Sequence, residues 1–99
     1  MKVTRIKISE AEPRQGPARY TVHLVETGEM LIERARDPEF EAARILVARG
    51  FDGILETVGP GSDVVSFRMP LAKAAELTTI EPNNAPPSIR KYKPFDPST

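Results

Sequence analysis

The chain has no cysteine, no tryptophan and a single histidine, His23, among 99 residues. Without cysteine there is no disulfide framework, no thiolate nucleophile and no cysteine-ligated zinc. An excess of one charge is missing as well: 14 Lys and Arg stand against 14 Asp and Glu. A neutral chain is not a general polyanion binder, because non-specific nucleic-acid affinity comes from many cationic contacts to phosphate. Long apolar runs are absent. The longest, Ile45-Leu46-Val47-Ala48, suits a core and falls far short of the roughly 18 residues of a membrane span, so no membrane partner is expected. The opening Met1-Lys2-Val3-Thr4-Arg5 alternates at once, with no apolar signal-peptide region, and a cytoplasmic location is expected. The length suits one domain.

What the chain does have is proline: ten in all, five of them after Glu81 (Pro82, Pro86, Pro87, Pro94 and Pro97). Proline removes a backbone donor and restricts its predecessor, so this stretch suits neither a helix nor a central strand. The reading is one α+β domain over residues 1–81 and a Pro-rich C-terminal tail over residues 82–99.

Residues 2–9 alternate, with Val3, Arg5 and Lys7 on one face and Thr4, Ile6 and Ile8 on the other, which predicts a half-buried strand with a basic outer face. Glu10–Ala18 holds Pro13, Gly16 and Pro17 and reads as a loop. Strands follow at Arg19–Thr27 and Met30–Arg36, with Gly28-Glu29 as the hairpin turn. Asp37-Pro38-Glu39 then opens a helix: Asp37 to cap the first free amides, Pro38 at the first helical position, and Glu39 and Glu41 against the positive end of the dipole. Gly50 stops it after Arg49, with Phe51 placed to fold back on Leu46. Strands over Gly53–Val58 and Asp63–Met69 flank the turn Gly59–Ser62. Val65, Phe67 and Met69 are read on one face of the second. Pro70 opens a short helix, Leu71–Leu77, and Thr78–Glu81 closes the chain as an optional strand. The order β-β-β-α-β-β-α-(β) predicts a two-layer α+β fold, an antiparallel sheet packed against one main helix.

Wound at 100° per residue, the main helix places Phe40, Ala43, Leu46 and Val47 toward the sheet. Glu41 and Arg44 are spaced for a weak pair. Ile45 falls near the opposite side, bordered by Ala42 and Ala48. A lone exposed aliphatic residue is common on soluble proteins, and that bland reading is preferred. The sharper one is a second contact surface. A body of about 80 residues buries only about 60–65% of its unfolded surface, and pairing with a second copy would stabilise it. A homodimer is therefore favoured.

Sets of catalytic residues are scarce. His23, mid-strand, could act as a general base with Glu29 or Glu33 on the facing strand, but that work also needs a pocket and substrate-positioning groups. A strand histidine with no task is the preferred reading. Glu39 and Glu41 are two apart and point away from each other on a helix. No EF-hand loop, P-loop, G-x-G-x-x-G or H-E-x-x-H is present. Gly59–Asp63 is glycine-rich but lies between strands, whereas phosphate cradles need a helix after the glycines. Neither an enzyme nor a cofactor nor a metal is expected.

The tail segment Ile89-Arg90-Lys91-Tyr92-Lys93-Pro94-Phe95 alternates apolar or aromatic with basic residues. It suits addition as a strand to a sheet edge. It also suits nucleic acid, its three cations meeting phosphates while Tyr92 and Phe95 stack on bases. A third match is a basic-plus-PxxP pattern. Strand addition ranks first, nucleic acid second and polyproline recognition third. The candidate interaction residues are Ile45, Ile89, Arg90, Lys91, Tyr92, Lys93 and Phe95. The function expected is a non-enzymatic protein–protein interaction module that self-associates. The alternative is a nucleic-acid accessory protein using Lys2, Arg5 and Lys7 with Arg90, Lys91 and Lys93, which requires both groups on one face.

The run Asp37-Pro38-Glu39-Phe40-Glu41-Ala42-Ala43-Arg44-Ile45-Leu46-Val47-Ala48-Arg49-Gly50, the Ala-rich Lys73–Leu77 and the closing Tyr92-Lys93-Pro94-Phe95 resemble small uncharacterised bacterial proteins. The resemblance covers residues 37–95 and implies a bacterial origin in prophage-like or mobile regions. It brings no known activity and no functional residue. The neutral total also hides structure: residues 1–25 sum to +3, residues 26–63 to −5 and residues 64–99 to +2.

Overall fold

The computed structural model describes residues 2–11, 19–79 and 92–95. The elements are β1 (Val3–Glu10), β2 (Tyr20–Leu24), β3 (Met30–Ala35), α1 (Pro38–Ala48), β4 (Ile54–Val58), β5 (Val65–Pro70), α2 (Leu71–Ala74), β6 (Leu77–Thr79) and β7 (Tyr92–Pro94). Five strands form one sheet in the order β3-β2-β1-β4-β5, and β6 pairs with β7 in a separate ribbon. The α+β class is as expected, and the element order holds through β6, to which the tail adds β7; the sheet, expected to be antiparallel, is mixed. The sheet is antiparallel at β1/β2, β2/β3 and β4/β5 and parallel at β1/β4. The parallel pair follows from the helix: β3 ends at one edge, and α1 carries the chain back past β1, so β4 enters in the same direction as β1.

Strand β1 shows how alternation builds the core. Thr4, Ile6 and Ile8 are buried while Val3, Arg5 and Lys7 are exposed. Ile6 and Ile8 join Val22, Leu24 and Leu55 on the inner face, where α1 covers them with Phe40, Ala43 and Leu46 and α2 adds Leu71 and Ala74. Fully burying one such aliphatic side chain is worth about 1.5–3 kcal/mol.

Helix α1 starts and stops near the expected residues, and Gly50 takes φ 87°. The N–H of Gly50 reaches Val47 O and that of Phe51 reaches Leu46 O, which satisfies the last carbonyls. Its start differs from expectation. The Asp37 side chain caps no helix amide. Instead Glu41 reaches back to the Asp37 N–H at 2.6 Å, and the Asp37 carboxylate turns to β6. That engagement, and the bond from Arg44 to Leu77 O, also replace the expected Glu41–Arg44 pair.

The buried arc of α1 is rotated as well. Ala42 is buried, Ile45 is half-buried and Val47 is exposed, because the helix packs against α2 as well as the sheet. Strand β2 ends at Leu24, earlier than expected, since Leu24 exchanges hydrogen bonds with Glu29 and Gly28 across a longer turn. Helix α2 is cut to Leu71–Ala74, and β6 begins at Leu77. Gly53 joins the halves of the fold. At φ 93° its missing side chain leaves room for Lys2 O, 2.2 Å from where a Cβ would stand. The loop expected at Glu10–Ala18 lies, from residue 12 on, outside the described residues, as does the Glu81/Pro82 domain boundary.

Candidate interaction surface

The helices cover one face of the sheet; among the described residues no element covers the other. Alternation and register place its side chains in rows across the strands. Arg5, Glu56 and Arg68 stand side by side on β1, β4 and β5. Glu56 is buried between its neighbours. Arg5 donates Nε and Nη2 to Glu56 Oε1 at 3.3 and 2.8 Å, and Arg68 Nη1 lies 3.6 Å from Oε2. The next row holds His23, Lys7, Val58 and Val65, in register with one another. Lys7 reaches Asp63 at 3.5 Å.

Apolar side chains flank the ion-pair row. Val3 is 44% exposed, Val25 48% and Val65 41%, and Met30, opposite His23 at the β3 border, is 50% exposed. Val25 continues the alternation of β2 and donates its N–H to Arg5 O. Val65 joins this face through a register shift in β5, where it sits opposite Val58 while Phe67 sits opposite Thr57. Ser66 occupies the extra position, its hydroxyl donating to the Thr57 and Gly59 carbonyls. Val65 therefore parts from Phe67 and Met69, with which unbroken alternation had grouped it. This bulge is why the open-face cluster was missed. Glu56 and Arg68 could have been found from alternation once β4 and β5 were paired.

The second surface is the β6/β7 ribbon on the helix side. Thr78 Oγ1 donates to Asp37 Oδ2 at 3.1 Å and Thr79 N at 2.8 Å; the Thr79 hydroxyl donates to Oδ1. Arg44 Nη1 donates to Leu77 O at 2.9 Å. Arg36, Asp37, Glu41, Arg44, Thr78 and Thr79 line a cleft of about 270 Å³ beside it. Tyr92 meets Phe40 edge-on with centroids 5.4 Å apart, and the Arg44 guanidinium lies 4.0 Å from the Phe95 ring centre. The tail thus adds a strand to its own body at Tyr92–Pro94, antiparallel to β6.

Among the residues singled out from sequence, Tyr92, Lys93 and Phe95 lie together in this ribbon. Ile45 is half-buried on α1. Ile89, Arg90 and Lys91 lie outside the described residues. Arg5 and Lys7 are on the open sheet face and Lys93 is on the helix side, so the structure does not bring these basic residues together; Lys2 lies over the Phe51 ring. His23 pairs in register with Lys7 and Met30. Glu29, one of the two carboxylates expected beside it, is held by Arg49 through two hydrogen bonds of 2.9 and 2.8 Å. These bonds hold the Glu29 carboxyl below its ordinary range and raise Arg49. No helix among the described residues is long and apolar enough to cross a membrane. Comparison with protein-family models, with curated proteins and with solved structures finds no match in any of the three. The resemblance of residues 37–95 to small bacterial proteins rests on its residues alone.

Proposed function

We propose that this chain is a non-enzymatic protein–protein interaction module that self-associates, with the sheet face that no described element covers as its contact surface. The observation that carries this reading is the set of exposed Val3, Val25, Met30 and Val65 side chains around the Arg5–Glu56–Arg68 row. With the ion-pair row they give this face the mixed apolar and polar make-up of a non-obligate protein interface. Among the described residues of the paired rows, Arg5 and Arg68 lie against Glu56 and Lys7 lies against Asp63. That balance suits a protein partner and leaves too little free charge for a phosphate backbone.

Five strands about 4.8 Å apart and about six residues long give a face of roughly 24 by 20 Å. Two such faces in contact bury on the order of 1,000 Å², the low end for specific interfaces, and association on the order of 10–100 μM is expected. Sedimentation equilibrium across that range tests it. A monomer–dimer equilibrium supports the reading. A strict monomer throughout, up to about 1 mM, removes it.

A further inference from the structure

Strand β6 is fixed to the body without help from β7. Asp37 holds Thr78 and Thr79, and Arg44 holds Leu77 O. Strand β7, by contrast, is three residues long and exposed throughout. Its anchors are its pairing with β6, two rings and a further backbone bond: Tyr92 against Phe40, Phe95 under Arg44, and Phe95 N donating to Glu76 O at 2.6 Å. Both rings are covered only in part, Tyr92 43% and Phe95 39% exposed. A three-residue strand at the open side of a two-stranded ribbon belongs to the low-stability end of a fold.

We propose that the groove between α1 and β6 is a docking site for an extended segment of another protein that carries two aromatic rings three residues apart, and that Tyr92–Phe95 fills it as a built-in competitor. The chemistry is read from the present occupant. The β6 edge supplies main-chain pairing. Phe40 supplies an edge for one ring. The Arg44 guanidinium supplies a cation for the face of the other. An incoming segment must displace a strand tethered at an effective concentration of millimolar order, so it binds when the tail opens or when its own rings fit better.

The test uses the full chain and the variant Y92A/F95A, titrated by NMR with a synthetic peptide of residues 88–97. The variant is expected to bind the peptide, with shifts at Arg44, Leu77 and Thr79. The wild-type chain is expected to bind at least about tenfold more weakly, the factor by which a tail docked nine-tenths of the time lowers apparent affinity. The same peptide with alanine at both ring positions is expected not to bind. Equal binding by the two chains, no binding by the variant, or binding of the alanine peptide overturns the proposal. So does an unfolded variant, because the groove must stand without its strand. None of these outcomes depends on self-association through the open sheet face.

Discussion

Replacing Asp37 with serine separates two roles that an aspartate before a helix can play. Serine is as good an N-cap as aspartate, so if Asp37 served the helix, Asp37→Ser would change stability by no more than about 0.5 kcal/mol. The structure assigns it another task. Asp37 is 6% exposed, and its carboxylate accepts from Thr78 Oγ1, Thr79 N and Thr79 Oγ1. A serine hydroxyl is too short to reach across to β6. Hydrogen bonds to a charged group are worth about 1.5–3 kcal/mol each. The two threonine hydroxyls can recover part of that from water, so about 1 kcal/mol per bond is used, giving a loss of about 3 kcal/mol for Asp37→Ser. In a domain this size that lowers Tm by about 12–24 °C. Urea unfolding with unchanged slope measures the loss, and hydrogen exchange at the Thr79 amide locates it. A variant within about 0.5 kcal/mol of wild type, or one whose Thr79 amide exchanges no faster, refutes the reasoning.

Three further outcomes are expected. Thr57 is fully buried on the inner sheet face, and its hydroxyl has no partner among the described residues, so Thr57→Val should raise stability by about 1 kcal/mol in urea unfolding. Gly53→Ala places a Cβ 2.2 Å from Lys2 O at a positive φ, and should lower stability by more than about 2 kcal/mol or prevent folding, as judged by circular dichroism. The Glu29 carboxyl is lowered by its hydrogen bonds to Arg49. Because its folded value lies below its unfolded one, the pair stabilises fully above the ordinary carboxylate range, and that contribution fades as pH falls through the lowered value. Glu29→Gln should therefore flatten the acid limb of the stability–pH curve and leave the neutral-to-basic limb unchanged in shape.

The elements were legible where one local rule decided them. The alternation of β1 placed Ile6 and Ile8 inside and Arg5 and Lys7 outside, and Pro38 and Gly50 bounded α1. Places where tertiary contacts overrode local preference were not. Asp37 has the residue type of a cap, yet β6, some 40 positions later, claims its carboxylate. Val47 lies on the apolar arc by periodicity, yet packing of α2 against α1 turns the helix so that Ala42 is buried. A bulge at Ser66 moves Val65 to the open face, and a single inserted residue leaves no mark in the hydrophobic pattern. The tail was legible as a strand to be added, because its aromatic and basic residues alternate. Its receptor was not, since Phe40 and Arg44 read only as parts of a helix.

Copies of this chain are proposed to meet through the open sheet face. Sedimentation equilibrium of the wild type beside Val25→Glu, Val65→Glu and, on the helix layer, Val47→Glu tests it most directly. The wild type and Val47→Glu should share one monomer–dimer equilibrium, and Val25→Glu and Val65→Glu should remain monomeric at the same concentrations. Dimers that survive both open-face substitutions, or that dissociate only with Val47→Glu, contradict it.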